Sequence, residues 1–165
     1  MKKRTFQIMI VAMLVVSILA VMFIFFLDKA HGEFRDNVRV RSVGRTEKVM
    51  AIQNLQLNPT EKEEYTVDFT CDASGGYDFS IEYIETEDGG MKHFVNVTMY
   101  FSDEAIYTGS LAELIDSDVT VSFVGELHET KPTTVKFVYE MPYETGNEAQ
   151  GTWADFKIRF SVEKN

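Results

Sequence analysis

The chain has one cysteine, three prolines, one tryptophan and three histidines in 165 residues. A lone thiol closes no intramolecular disulfide, so the fold has to be held by its core. Cys71 is then expected to be buried, pairing with another chain being the other use of an exported thiol. His31, His93 and His128 stand far apart, with no two at ligand spacing. His128-Glu129 runs into Pro132, which excludes the His-Glu-x-x-His helix of zinc peptidases. A nucleophile elbow, a phosphate-binding glycine loop and a second cysteine for redox work are all missing. The sequence therefore names no catalytic, cofactor or metal residue, and a protein without enzymatic activity is expected. Acidic clusters at Glu61 to Glu64, Glu85 to Asp88 and Asp116 to Asp118 lack the ligand alternation of an EF-hand loop and read as solvated turn charge.

What is present begins with Phe6 to Leu27, 22 residues without a charge, preceded by Lys2, Lys3 and Arg4 and closed by Asp28 and Lys29. As a helix rising about 1.5 Å per residue this run is roughly 33 Å long, enough to cross a hydrocarbon core about 30 Å thick. The basic tip, residues 1–5, is then cytoplasmic and everything after Asp28 lies outside. The length favours an uncleaved transmembrane signal anchor over 6–27. Ala30-His31-Gly32 offers small residues at a signal-peptidase site, so the alternative is a secreted chain starting at Glu33.

The part after residue 27 holds all 26 acidic residues but only 13 of the 16 basic ones, a formal charge of −13. Such a surface repels nucleic acid, which is excluded as a partner. Arg35, Arg39, Arg41, Arg45 and Lys48 form a local basic run, so residues 28–48 read as a stalk or as a first edge strand blunted by charge, with no ligand assigned.

From residue 49 to 165 the pattern is alternating. Met50, Ile52, Leu55 and Leu57 form a strand with an irregularity at Gln53-Asn54. Tyr65, Val67 and Phe69 form a strand with one wet face. Phe79, Ile81 and Tyr83 lie between the turns Asp72 to Gly76 and Glu87 to Gly90, a meander signature. Strands follow at Phe94 to Phe101, Val119 to Val124, Thr133 to Met141 and Ala154 to Val162. Ser110 and Glu113 make a capping box on a short helix. Trp153 reads as a lid over one end of the core. Seven or eight strands without long intervening helices predict one all-β domain, a jelly-roll or Ig-like antiparallel β-sandwich, behind one N-terminal transmembrane helix.

Two segments are more specific. Val138 to Gly151, with Pro142, Gly146, Asn147 and the Gln150-Gly151 pair, followed by Trp153 to Phe160, resembles the closing hairpin of the TasA/camelysin family. Ile106 to Leu114 is similar to that family's element of tyrosine, glycine and short leucine helix. Leu57-Asn58-Pro59-Thr60 stands where members have a leucine-proline-glycine turn, with Thr60 in place of the glycine. The resemblance implies a jelly-roll-like protein of a Gram-positive envelope or biofilm matrix. Some members form fibres by lending an N-terminal strand to a neighbour.

The expected function is thus a structural fibre subunit or a membrane-tethered accessory to fibre-forming relatives. Its partners would be the membrane through residues 6–27 and its own copies or related subunits through strand addition. The residues expected to matter are architectural. Tyr107, Gly109 and Leu111 shape the helical connection, while Pro142, Gly146, Asn147 and Gly151 shape the last hairpin, Gly146 and Asn147 through left-handed backbone angles. One alternative is a tethered binding module for a wall polymer or protein partner, marked by an exposed cluster of Tyr77, Tyr107 and Tyr143. The other is a metallopeptidase by family analogy, which would need three converging ligands that no motif here supplies.

Overall fold

The computed structural model describes residues 34–165. The expected cytoplasmic tip and membrane span over residues 1–27 lie outside the described residues, within which no helix is long and apolar enough to cross a membrane. The described residues form nine strands and one short helix: β1 Phe34–Val40, β2 Thr46–Leu55, β3 Lys62–Cys71, β4 Gly75–Asp88, β5 Asn96–Phe101, β6 Glu104–Ser110, α1 Leu111–Asp116, β7 Val121–Leu127, β8 Thr133–Glu140 and β9 Ala154–Lys164. They build an all-β sandwich of two sheets, β1-β3-β8-β5-β6 and β2-β9-β4-β7.

Alternation explains the layers. Val67, Phe69 and Cys71 of β3, Val135, Phe137 and Tyr139 of β8, and Tyr77, Phe79, Ile81 and Tyr83 of β4 are buried, as are Phe156, Ile158, Phe160 and Val162 of β9. Facing rings interlock edge to face, Phe69 with Phe79 at 5.4 Å and Phe137 with Phe160 at 5.7 Å. Each such pair is worth about 0.5–1.5 kcal/mol beyond the area it buries. Tyr83 and Tyr139 bring their only polar atoms together, Oη to Oη at 2.8 Å, so neither phenol is orphaned in the core.

Several expectations are corrected by the pairing. The glycine-containing turns around β4 do not make a meander, because β3 pairs with β1 and β8 while β4 pairs with β7 and β9. An aromatic face on both β3 and β4 is buried by stacking across the sandwich rather than side by side. Only β5 and β6 form a hairpin of successive strands among the described residues. Its turn, Ser102-Asp103, has φ of 49° and 71°, the I′ pattern usually given to Asn-Gly. The segment from β8 to β9 is likewise an arch between sheets and not a closing hairpin.

β1 places residues 34–40 at the edge of the five-stranded sheet, in keeping with the edge-strand reading of that stretch, so the described sandwich includes residues ahead of 49. Val38 and Val40 are buried, and the strand pairs with β3 in parallel, an exception to the expected antiparallel arrangement. The outer face of β3 is wet only in part: Lys62 and Glu64 are exposed and Thr70 is half-buried, but Thr66 and Asp68 are buried. Asp68 accepts from Arg35 Nε at 2.5 Å and from Thr134 Oγ1 at 2.8 Å, tying β1 and β8 to β3. The irregularity at Gln53-Asn54 is a register shift between Ile52 and Leu55, with Asn54 at φ 55°.

Thr60, in the β2–β3 connection, has φ 76°. A β-branched residue pays about 1–2 kcal/mol for left-handed geometry, partly offset by the greater unfolded-state entropy of glycine. Thr60→Gly is expected to stabilise the domain by up to about 1 kcal/mol, read as a higher midpoint in urea. A lower midpoint would contradict the assigned backbone.

Candidate functional site

Asn96 at the start of β5 lies between Ser110 of β6 and Glu140 of β8, so the connections leaving those two strands emerge at the same end of the sandwich. This end carries all seven residues singled out in the sequence. Ser110 is the N-cap of α1 and its Oγ accepts from Glu113 N at 3.1 Å. Leu111 is fully buried and its N–H donates to Val95 O at 2.9 Å. Tyr107 turns its phenol over Gly109, where a Cβ would collide with the ring, and reaches Glu113 Oε2 at 3.4 Å. Burial and then the Glu113 charge raise the Tyr107 pKa.

In the arch between β8 and β9, Pro142 O accepts from Thr145 N at 3.2 Å and Asn147–Ala149 form a 3-10 turn. Gly146 does not have the left-handed angles expected of it: its φ is −76° and a Cβ there would meet open space. Asn147 is likewise not among the residues of positive φ, and Gly151, at φ 75°, makes the reversal instead. Trp153 is partly buried and lies on Gly89, whose bare Cα leaves room for the indole at 2.5 Å from a notional Cβ. Gly89 N also donates to Trp153 O at 2.8 Å.

A lysine missed in the sequence organises this end. Lys92, in the 3-10 turn Met91–His93, is only 9% exposed. Its ammonium pairs with Glu85, with Asp116 at 2.7 Å and with Asp88 at 3.7 Å. Two acidic clusters that read as solvated charge thus contribute to one clamp joining the end of β4 to the end of α1. Hydrogen bonds to Asp116 and Glu85 raise the Lys92 pKa. The only sequence signal was one lysine between two acidic clusters in an apolar stretch.

Beside the clamp is a pocket of about 380 Å³ lined by Phe94, Asn96, Pro142, Thr145, Glu144 and Glu148. Elsewhere, Ser80, Ser122 and Ser161 stand in one row across the outer face of the second sheet, in an open depression of about 400 Å³ that also holds Arg45 and Asp78. Among the described residues no group of three or more His, Cys, Asp or Glu is placed to hold a metal. The tyrosines proposed to mark a binding module do not cluster. Tyr77 is fully buried, donating to Ala73 O at 2.6 Å, and burial pushes its pKa up to about 12; only Tyr143, 79% exposed, is open to a partner.

The opposite feature is the β1 edge. Lys48 of β2 reaches Asp36 of β1 at 2.7 Å across the open side of the sandwich. The Lys48 hydrogen bond is the largest influence holding the Asp36 pKa below its ordinary 3.8.

No family model and no curated protein matches the chain. Among solved structures, PliG of Aeromonas hydrophila, a periplasmic inhibitor of g-type lysozyme, is 13% identical over 79% of this chain and 99% of its own, with a TM-score of 0.37. The pre-peptidase C-terminal domain of collagenase from Bacillus anthracis is 10% identical over 79% of this chain and 96% of its own, at 0.34. A β-glucosidase from Paenibacillus barengoltzii is 13% identical over 76% of this chain at 0.37, but the match spans only 11% of that enzyme. Scores this low carry no argument about ancestry or activity.

Two outcomes test the electrostatics. Lys92→Met leaves three carboxylates facing one another without a cation, and about 1–3 kcal/mol of stability should be lost in urea titration; an unchanged midpoint would show that the clamp contributes nothing. For Asp36, a depressed folded pKa gives stability that is present above the unfolded value and lost as pH falls through the folded one. Wild type should therefore lose stability below about pH 4 more steeply than Asp36→Asn, and parallel pH curves would refute the pairing.

Proposed function

We propose that this chain is a non-enzymatic structural protein of a cell envelope or biofilm matrix, exported or anchored through residues 6–27. In this reading it is a jelly-roll relative of the TasA/camelysin family. It assembles with copies of itself or related subunits by strand addition.

The observation that carries the reading is β1. This strand follows the apolar run after six residues in sequence and pairs in parallel at the edge of a sheet. Its fixings are separable ones: a seven-residue ladder, Val38 and Val40 in the core, and the ion pairs of Arg35 with Asp68 and Lys48 with Asp36. A segment so held can leave its own sheet and fill the same slot in a neighbour, since the vacated β3 edge offers the same unpaired N–H and C=O groups and the same apolar recess. The Lys92 clamp, the Trp153 contact and the sequence motifs at the other connections serve rigidity, which suits a subunit that transmits load.

Val40 and Cys71 are register partners and both are buried. Neighbouring strands lie about 4.8 Å apart, within the Cα range a disulfide needs. In the Val40→Cys chain, oxidised after expression in its host, a lent β1 gives a ladder of disulfide-linked multimers on a non-reducing gel. A cross-linked monomer and nothing larger would refute strand lending. The register pair Arg39→Cys with Thr70→Cys, one exposed and one half-buried position on the outer face, repeats the test outside the core.

A further inference from the structure

The connection between β1 and β2 and the arch between β8 and β9 leave opposite ends of the sandwich. Val40 is the register partner of Cys71 at one end of β3, whereas Glu140 is the partner of Lys62 at the other. The ten residues of β3 put about 30 Å between them.

The first connection is an apolar tip flanked by cations. Val43 is 86% exposed, and Gly44 beside it takes φ 77° to reverse the chain. Arg41 engages only its backbone N–H, with Thr46 Oγ1 at 3.1 Å, and its guanidinium is unpaired among the described residues. Arg45 touches Ser161 and Glu47 yet remains 52% exposed. A basic tip of this kind is unusual in a part of the chain with a formal charge of −13.

The pocket at the other end has the reverse character. Phe94 and Pro142 give it apolar lining, Glu144 and Glu148 give it two carboxylates, and His93 is its one imidazole. Both are exposed and have no ion pair among the described residues. Its volume of about 380 Å³ is enough for one aliphatic side chain and parts of its neighbours.

We propose that the Arg41 to Arg45 tip of one copy docks in the Phe94, Pro142, Glu144 and Glu148 pocket of the next. Val43 meets the apolar lining and the Arg41 guanidinium meets the two carboxylates, while Arg45 keeps its contacts with Ser161 and Glu47 and adds positive charge beside them. The surfaces differ and lie at opposite ends, so the contact is heterologous and repeats into an open row rather than closing as a two-fold dimer. The inference rests on the reading of this chain as an assembling subunit, and it adds an interface separate from the lent strand. The charges at its rim make it selective and salt-sensitive.

The test is sedimentation of the full-length chain over a range of concentration at low and high salt. Three forms are compared: wild type, Arg41→Glu, and the double variant Glu144→Lys with Glu148→Lys. All three positions are exposed, and circular dichroism checks that the fold is kept. Wild type is expected to associate, and to do so less in high salt. Each variant alone should lose about tenfold or more in association, and an equimolar mixture of the two should regain it, because each then supplies the partner the other lacks. Variants that associate like wild type, or a mixture that stays dissociated, overturn this interface while leaving assembly by other means intact. A wild type that remains monomeric throughout overturns the interface and the assembling-subunit reading together.

Discussion

The structure depends on burying two rows of aromatic side chains against each other in a chain with no disulfide to help. The rings of β3 and β8 face those of β4 and β9, and the Tyr83–Tyr139 contact lets two phenols sit inside without unpaired hydroxyls. That demand sets the topology. If neighbouring strands in sequence carry their bulk on one face each, placing them in opposite sheets lets them cover one another at once. The chain accordingly crosses the sandwich at every connection among the described residues except the one between β5 and β6.

Crossing at so many points leaves the long connections at the two ends and makes them responsible for closing the core. At one end Lys92, Trp153 on Gly89 and the capped helix α1 do this with polar contacts that are internally satisfied. At the β1 side closure is of another kind, with Lys48 and Asp36 bridging the sheets and Arg35 covering Asp68. The first kind joins elements whose separation would unravel the domain. The second kind joins the first described strand at a sheet edge, and on the function proposed above this difference is what would connect the fold to assembly.

Much of this was legible in the residues. The alternation of Phe156, Ile158, Phe160 and Val162 marks β9, the break at Gln53-Asn54 marks a bulge, and Ser110 with Glu113 marks the start of α1. β6 was missed because its turn uses Ser102-Asp103 without glycine and because its edge position leaves Ile106 and Tyr107 only partly buried. Sheet membership was not legible either, since glycines and aspartates mark a reversal equally well whether it makes a hairpin or an arch. The same limit explains Gly146 and Gly151: both suit a turn, and the path of the arch decides which one takes positive φ. Lys92 escaped notice because its partners are distant in sequence. β1 read equally as stalk or edge strand because five basic residues hide the two valines that bury.

The account is tested most directly by fractionating the host cell, sequencing the N-terminus of the protein and measuring the native mass of the particle that holds it. The expected result is a protein in the membrane, envelope or matrix fraction, with its N-terminus at Met1 or near Glu33, in particles several times the mass of one chain. A monomer recovered from the cytoplasm with Met1 intact would contradict both export and assembly.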